Sequence, residues 1–134
     1  MLRCLALAAL AALVLAGCGV RNSKPFTADG TAPCLKDNGF KAVTSSFLRV
    51  GFVAGTAENG GLRATSRSGN DVTIAFTADE QSVTATERAF RHHAPASIRP
   101  HMSDIMSAQR NAVVVWTTTP ASEEMDALTR CLKP

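Results

Sequence analysis

The chain has 134 residues, of which 46% are hydrophobic and 19% are charged, and its formal net charge is +3. This length suits a single domain, and the composition excludes wholesale disorder and collagen-like repeats. The charge is too small to indicate a nucleic-acid partner.

The first residues combine a positive start with a short apolar run. Arg3 is followed at 5–16 by twelve consecutive apolar residues, LALAALAALVLA, whereas a helix that spans a bilayer needs about 20. A charged start before an apolar run of roughly 7–15 residues is typical of a secretory signal peptide. The pattern therefore predicts an exported protein.

The sequence Leu15-Ala16-Gly17-Cys18 ends this apolar run and resembles the lipobox of bacterial lipoproteins. The resemblance covers the signal region only. It implies cleavage after Gly17 and attachment of acyl chains such as palmitate to Cys18, and two or three acyl chains hold a protein firmly on a membrane. It also implies a place in the cell envelope, on the outer face of the cell membrane, or in the outer membrane if the host has one.

These features divide the chain into three parts. We expect a lipoprotein signal peptide at 1–17, a lipidated N-terminus with a flexible tether at 18–32, and a single domain at 33–134. The tether is predicted because residues 19–32 are polar, contain Gly and Pro, and show no periodicity.

Two cysteines, Cys34 and Cys131, remain once Cys4 is removed with the signal and Cys18 carries the lipid. Two thiols in an exported protein predict one disulfide, which would join the two ends of the domain. A redox pair and a metal site are the alternatives, and the absence of a C-x-x-C motif argues against both.

The start of the domain gives weaker signals. Residues 33–39 predict a short helix closed by Gly39, and residues 40–45 predict a strand. The apolar run at 47–57, FLRVGFVAGTA, fits a helix and a strand equally, since its glycines interrupt any periodicity.

Two runs of alternating side chains, at 62–67 and 72–76, flank the turn sequence Ser68-Gly69-Asn70-Asp71. Alternation on both sides of such a turn predicts a β-hairpin with one solvated face.

A helix is predicted from Thr77 to His93. Thr77 and Glu80 have the spacing of a capping box, in which each side chain accepts a hydrogen bond from a free backbone N–H. Pro95 ends the predicted helix.

The last third of the chain alternates irregular and regular segments. Residues 95–111 are irregular, with a short helical turn expected around 101–108. The β-branched run at 112–116 predicts a central strand buried on both faces. The final helix is predicted to begin at Thr119-Pro120, because proline suits the first helical position.

This order of strand, hairpin, helix, strand and helix predicts an α+β domain. We expect a small, mostly antiparallel sheet of about four strands with two main helices packed on one face. The predicted disulfide would clamp the two ends of this domain.

Cationic side chains cluster around the end of the predicted middle helix. Arginine guanidinium groups match phosphate and carboxylate, so the cluster is a candidate surface for an anion or a protein partner, the alternative being an ordinary solvated face. The candidate surface, called here the Arg/His surface, consists of Arg88, Arg91, His92, His93, Arg99 and His101.

The same histidines allow a metal-site hypothesis. His93, His101 and Asp104 offer imidazole and carboxylate groups, which bind zinc or copper. The spacing matches no established motif, and the adjacent His92 and His93 would point in different directions on a helix.

No catalytic signature accompanies these groups. The sequence lacks the G-x-S-x-G motif and a Gly-rich phosphate loop, and no cofactor is predicted. The leading hypothesis is a membrane-anchored lipoprotein with a non-enzymatic binding or scaffolding role, whose partner is an envelope protein or an anionic ligand. The alternatives are a metal-binding envelope protein that uses His92, His93 and His101, and an envelope hydrolase.

Overall fold

The computed structural model describes residues 23–44 and 47–133. The predicted signal peptide and Cys18 lie outside the described residues. Within the described part of the chain, no helix has both the length and the apolar character needed to cross a membrane.

Six α-helices, one short 3₁₀ turn (Arg99–His101) and five strands make up the described domain. The helices are α1 (Ala28–Asp37), α2 (Phe47–Val50), α3 (Phe52–Gly55), α4 (Val83–His93), α5 (Met102–Ile105) and α6 (Ser122–Cys131). The strands are β1 (Lys41–Thr44), β2 (Gly61–Thr65), β3 (Asp71–Phe76), β4 (Met106–Gln109) and β5 (Ala112–Trp116).

The strands form one antiparallel sheet in the order β1-β2-β3-β5-β4. The predicted hairpin is confirmed as β2 and β3, with Leu62 opposite Ile74, and the predicted central strand is β5. The α+β class is confirmed, with five strands instead of about four. The additional strand is β4, a short and partly exposed edge strand that shows no apolar alternation.

One face of the sheet forms the main core. Leu62, Ile74 and Val114 are on this face and are each at most 2% exposed. Leu35 of α1 and Leu128 of α6 pack in the same cluster. Complete burial of such a side chain contributes about 1.5–3 kcal/mol, so this cluster is the main source of stability.

Helices also cover the opposite face, whereas the sequence predicted helices on one face. Ala75 projects from this second face and packs with Val50, Ala54 and Phe90, which belong to α2, α3 and α4. Gly61 allows α3 to approach closely, because a Cβ atom there would overlap the carbonyl group of Ala54. The second layer is needed because β3 and β5 carry apolar residues on both faces.

The disulfide prediction is confirmed. Cys34 of α1 and Cys131 of α6 are bonded, their Cα atoms are 5.6 Å apart, and 97 positions separate them in sequence. The bond joins the first and last helices over the main core and so clamps the two ends of the domain.

The predicted tether is too long. Helix α1 begins at Ala28 rather than at Pro33, because the side chain of Thr27 accepts a hydrogen bond from the backbone N–H of Gly30 at 3.1 Å. Ala28 and Ala32 are buried, so these residues belong to the domain. Small and polar residues in this segment conceal the helical stripe in the sequence.

The predicted capping box is also wrong. Thr77 is buried, and its single hydroxyl proton is shared between the carbonyl oxygens of Asp79 at 2.6 Å and Asn111 at 3.0 Å. Helix α4 begins later, at Val83, after a turn in which the Asp79 carboxylate accepts from the backbone N–H of Ser82 at 2.9 Å. The Thr77 hydroxyl therefore donates to carbonyl groups instead of capping a helix, and one of these carbonyls lies 34 positions away, which the local pattern does not reveal.

The ambiguous apolar run forms two single-turn helices, α2 and α3. Gly51 separates them with a φ of +81°, a conformation that favours glycine. The run therefore folds back on itself and covers the second face of the sheet.

Candidate functional site

An apolar cavity of about 300 Å³ lies on the second face of the sheet, beneath α4. Its wall includes Val53 of α3, Phe90 of α4, Met102 of α5 and Val115 of β5, together with Ile98. This volume is at the lower end of the usual range for small-molecule sites, about 300–1,000 Å³. The cavity is therefore the leading candidate for a ligand-binding site.

Arg99 folds the segment after α4 over this cavity. Its Nε atom donates to the carbonyl oxygen of Ala94 at 2.9 Å, and a terminal nitrogen donates to that of His92 at 3.4 Å. These contacts place Pro95 and Ile98 in the cavity wall. The guanidinium also lies at the negative end of the helix dipole, so Arg99 has a structural role here.

His93 and Phe52 form one edge of the cavity. Their ring centroids are 5.2 Å apart, and both side chains are exposed. Thr73 and Thr117 add hydroxyl groups to the lining, and no Asp or Glu of the described chain lines the cavity. The site therefore suits a largely apolar molecule that carries hydrogen-bonding groups.

Trp116 is the single tryptophan of the sequence and lies in the wall of the cavity. It is 2% exposed and packs against Phe40 with the ring centroids 6.3 Å apart, in agreement with the burial predicted for the strand at 112–116. Its indole N–H has no hydrogen-bond partner among the described residues. Because this residue lines the cavity, its fluorescence should report on occupancy.

The Arg/His surface is divided between two elements. Arg88, Arg91, His92 and His93 lie on α4, whereas Arg99 and His101 lie in the 3₁₀ turn, and all six are exposed. The rings of His92 and His93 are 5.2 Å apart and edge to face. Apart from this contact and the bonds of Arg99, the described part of the chain shows no ion pair or side-chain hydrogen bond that joins these residues. Only His93 reaches the cavity.

The metal candidates do not converge. Within residues 23–44 and 47–133, no three His, Cys, Asp or Glu side chains come together in a way that could hold a metal ion. His93 packs against Phe52 rather than beside His101 and Asp104. The geometry therefore gives the metal-site hypothesis no support.

Glu124 is the acidic side chain with the most extensive hydrogen bonding. It accepts from the hydroxyl of Ser68 at 2.6 Å, the backbone N–H of Ala121 at 2.8 Å and the amide of Asn70 at 3.3 Å. Burial alone would raise its pKa, but these bonds and that of Ser66 outweigh it and lower the pKa from 4.5 to about 2. An ionised carboxylate of this kind is a poor proton donor near neutral pH. Its role is to join the β2–β3 turn to α6.

We expect Glu124 to stabilise the fold above about pH 4.5 and to lose this contribution as the pH falls towards 2, because its pKa is lower in the folded state. In Glu124→Gln, the free energy of unfolding should therefore fall less between these pH values than in the wild type. Urea unfolding measures this difference, with the exposed neighbour Glu123→Gln as the matched control. An equally steep loss in Glu124→Gln would contradict the prediction.

No protein-family model, curated protein or solved structure matches the chain. The cavity geometry is therefore the basis for a functional proposal. Sequence reasoning did not find this cavity, since its wall combines the ambiguous run at 47–57, the irregular segment at 95–105 and two strands. Only the unusually apolar character of 47–57 hinted at a second buried layer.

Proposed function

We propose that the protein is a lipid-anchored lipoprotein of the bacterial cell envelope that binds a small, largely apolar molecule without chemical conversion. The observation that supports a ligand-binding function is the cavity of about 300 Å³ between the sheet, α4 and α5. Anchoring is proposed from the lipobox-like sequence that ends at Cys18. The location is then the outer face of the cell membrane, or the outer membrane if the host has one.

The lining supports binding rather than catalysis. Phe90, Met102 and Val115 provide apolar surface. Thr73 provides a hydroxyl group that can orient a ligand, and the hydroxyl of Thr117, which donates to the carbonyl oxygen of Asp71 at 3.2 Å, can accept a hydrogen bond from one. His93 is the one titratable side chain of the lining. In the described chain no hydrogen bond joins the His93 ring to the hydroxyl of Thr73 or Thr117 or to a carboxylate, so the hydrolase alternative lacks a paired nucleophile and base.

The experiment uses the protein purified from its native membranes. Its mass is measured first, and a chain that begins at an acylated Cys18 is expected. The uncharged fluorophore 1-aminoanthracene is then titrated, with excitation of Trp116, since energy transfer from the single tryptophan reports a probe bound to the domain. We expect saturable binding.

Two substitutions by tryptophan on or beside α4 test the location. Ala94 lines the cavity, so Ala94→Trp should fill it and abolish probe binding, whereas Ala85 is exposed outside it. Direct probe fluorescence compares the two variants, because each adds a tryptophan. Equal binding by Ala94→Trp and Ala85→Trp would place the probe elsewhere and overturn the cavity assignment, whereas an unacylated chain would overturn the anchor alone.

A further inference from the structure

The exposed large apolar side chains of the described residues all fall in one short segment. They are Val43, Phe47, Leu48 and Phe52, and they are 36%, 50%, 90% and 56% exposed. Scattered single apolar residues are normal on a protein surface, but a contiguous group marks an interaction site. Phe47, Leu48 and Phe52 are called here the exposed patch.

The exposed patch is held on a packed base. Phe47 and Phe52 meet edge to face with ring centroids 5.7 Å apart. Val50 lies on α2 with Phe47, and Ala54 lies on α3 with Phe52. Both Val50 and Ala54 are buried against Ala75 of the sheet. The helices thus present these side chains outward while burying their other face, so the exposure is not the result of a loose segment.

The charges around the exposed patch are positive. Lys41, Arg49 and Arg63 border Leu48, and Arg63 is paired with Asp71 at 2.6 Å. The elements that carry the patch and its border, β1, β2, α2 and α3, contain no Asp or Glu. Asp71 of β3 offsets the charge of Arg63, so Lys41 and Arg49 supply the positive charge of the border. Apolar side chains among lysine and arginine complement a surface of anionic lipids.

Only a short segment separates the folded domain from its proposed anchor at Cys18. Arg110 donates to the carbonyl oxygens of Ser23 and Lys24, both at 3.0 Å, which ties the start of the described chain to the β4–β5 turn. Cys18 lies five residues before Ser23, and five extended residues span at most roughly 18 Å. A short linker gives a high effective concentration at the bilayer, so that weak surface contacts are populated.

We propose that the exposed patch inserts into the interfacial region of the anionic membrane to which the chain is anchored. This inference rests on the proposed anchor at Cys18. Phe52 belongs both to the patch and to the cavity edge, so insertion would place the cavity edge at the lipid surface. A membrane-derived apolar ligand would then enter without crossing water.

The test compares two labelled positions in the full acylated protein. Leu48→Cys carries a nitrobenzoxadiazole dye within the patch, and Asp126→Cys carries it on α6, which packs on the other face of the sheet. The protein is reconstituted into vesicles of phosphatidylglycerol and phosphatidylethanolamine after mass measurement verifies acylation at Cys18. At position 48 we expect emission at shorter wavelength and quenching by doxyl-labelled lipids, both absent at position 126.

Variants of the patch and of its border complete the experiment. The double variant Phe47→Ser/Phe52→Ser should abolish the signal at position 48. We expect it to fold, because both side chains are half exposed in the wild type, and its melting temperature verifies this. Lys41→Gln and Arg49→Gln, which each remove one positive charge, should each weaken the signal about fivefold in anionic vesicles. Equal quenching at positions 48 and 126 would overturn the inference. A signal at position 48 that depends on protein concentration and persists in detergent would also overturn the inference, because it would show that the exposed patch binds a second copy of the protein. Absence of acylation would instead refute the anchor.

Discussion

Replacement of both Cys34 and Cys131 by serine is expected to lower the free energy of unfolding by about 3–5 kcal/mol. The bond closes a sequence separation of 97 residues, and the chain-entropy model gives about 4.7 kcal/mol for a loop of roughly 100 residues. The loss is large because the crosslink restricts almost the whole domain in the unfolded state. Urea unfolding under oxidising conditions measures it.

Reduction provides the matched control for this prediction. Dithiothreitol should destabilise the wild type to nearly the level of Cys34→Ser/Cys131→Ser and should leave the double variant unchanged. Equal unfolding midpoints for the oxidised wild type and the double variant would show that the bond constrains little. The bond secures α1 and α6 over the main core, and this core is continuous with the cavity, since Met102, Ile105 and Trp116 belong both to the core cluster and to the cavity wall.

Asn111→Ala is expected to cost about 3 kcal/mol, as it leaves several buried groups without partners. The Asn111 side chain accepts from the backbone N–H of Phe26 at 2.8 Å and donates to the carbonyl oxygens of Phe26 at 2.9 Å and Thr77 at 2.8 Å. It thus joins three segments: the N-terminal residues, the end of β3 and the β4–β5 turn. Thermal and urea unfolding measure the loss.

Two further variants make this result specific. Asn111→Asp keeps the side-chain shape and the acceptor but turns a carboxylate towards two carbonyl oxygens, so it should destabilise at least as much as Asn111→Ala. Asn70→Ala removes an amide whose bonds to Thr118 and Glu124 are 3.3 Å long, and its cost should stay below about 1 kcal/mol. If Asn111→Ala cost no more than Asn70→Ala, the proposed role of Asn111 would be wrong.

Asn111 also shows why the predicted tether was too long. In sequence it is a polar residue at a turn, and nothing local relates it to Phe26, 85 positions earlier. In the structure, its amide holds the segment that leads into α1. The boundary between tether and domain therefore depends on a contact between distant parts of the chain.

The Arg/His surface likewise contains contacts that the local sequence does not reveal. The sequence correctly suggests that His92 and Arg99 are close, since they flank one helix end. It does not show that Arg99 donates to the carbonyl oxygens of His92 and Ala94. The sequence makes Arg99 a candidate to bind an external anion, whereas in the structure its guanidinium donates hydrogen bonds to backbone carbonyl groups. Its effect on the cavity is therefore indirect.

Local sequence patterns predict those features of the fold that depend on neighbouring residues or on the number of cysteines. Alternation and turn residues predicted the β2–β3 hairpin, the β-branched run at 112–116 predicted β5, and two thiols predicted the Cys34–Cys131 bond. Tertiary structure alone decided which helix covers which face of the sheet, and so decided where the cavity and the exposed patch lie. The reason is physical: β5 is apolar on both faces and β3 adds Ala75 to the second face, and only the packing of distant helices determines what each face contacts.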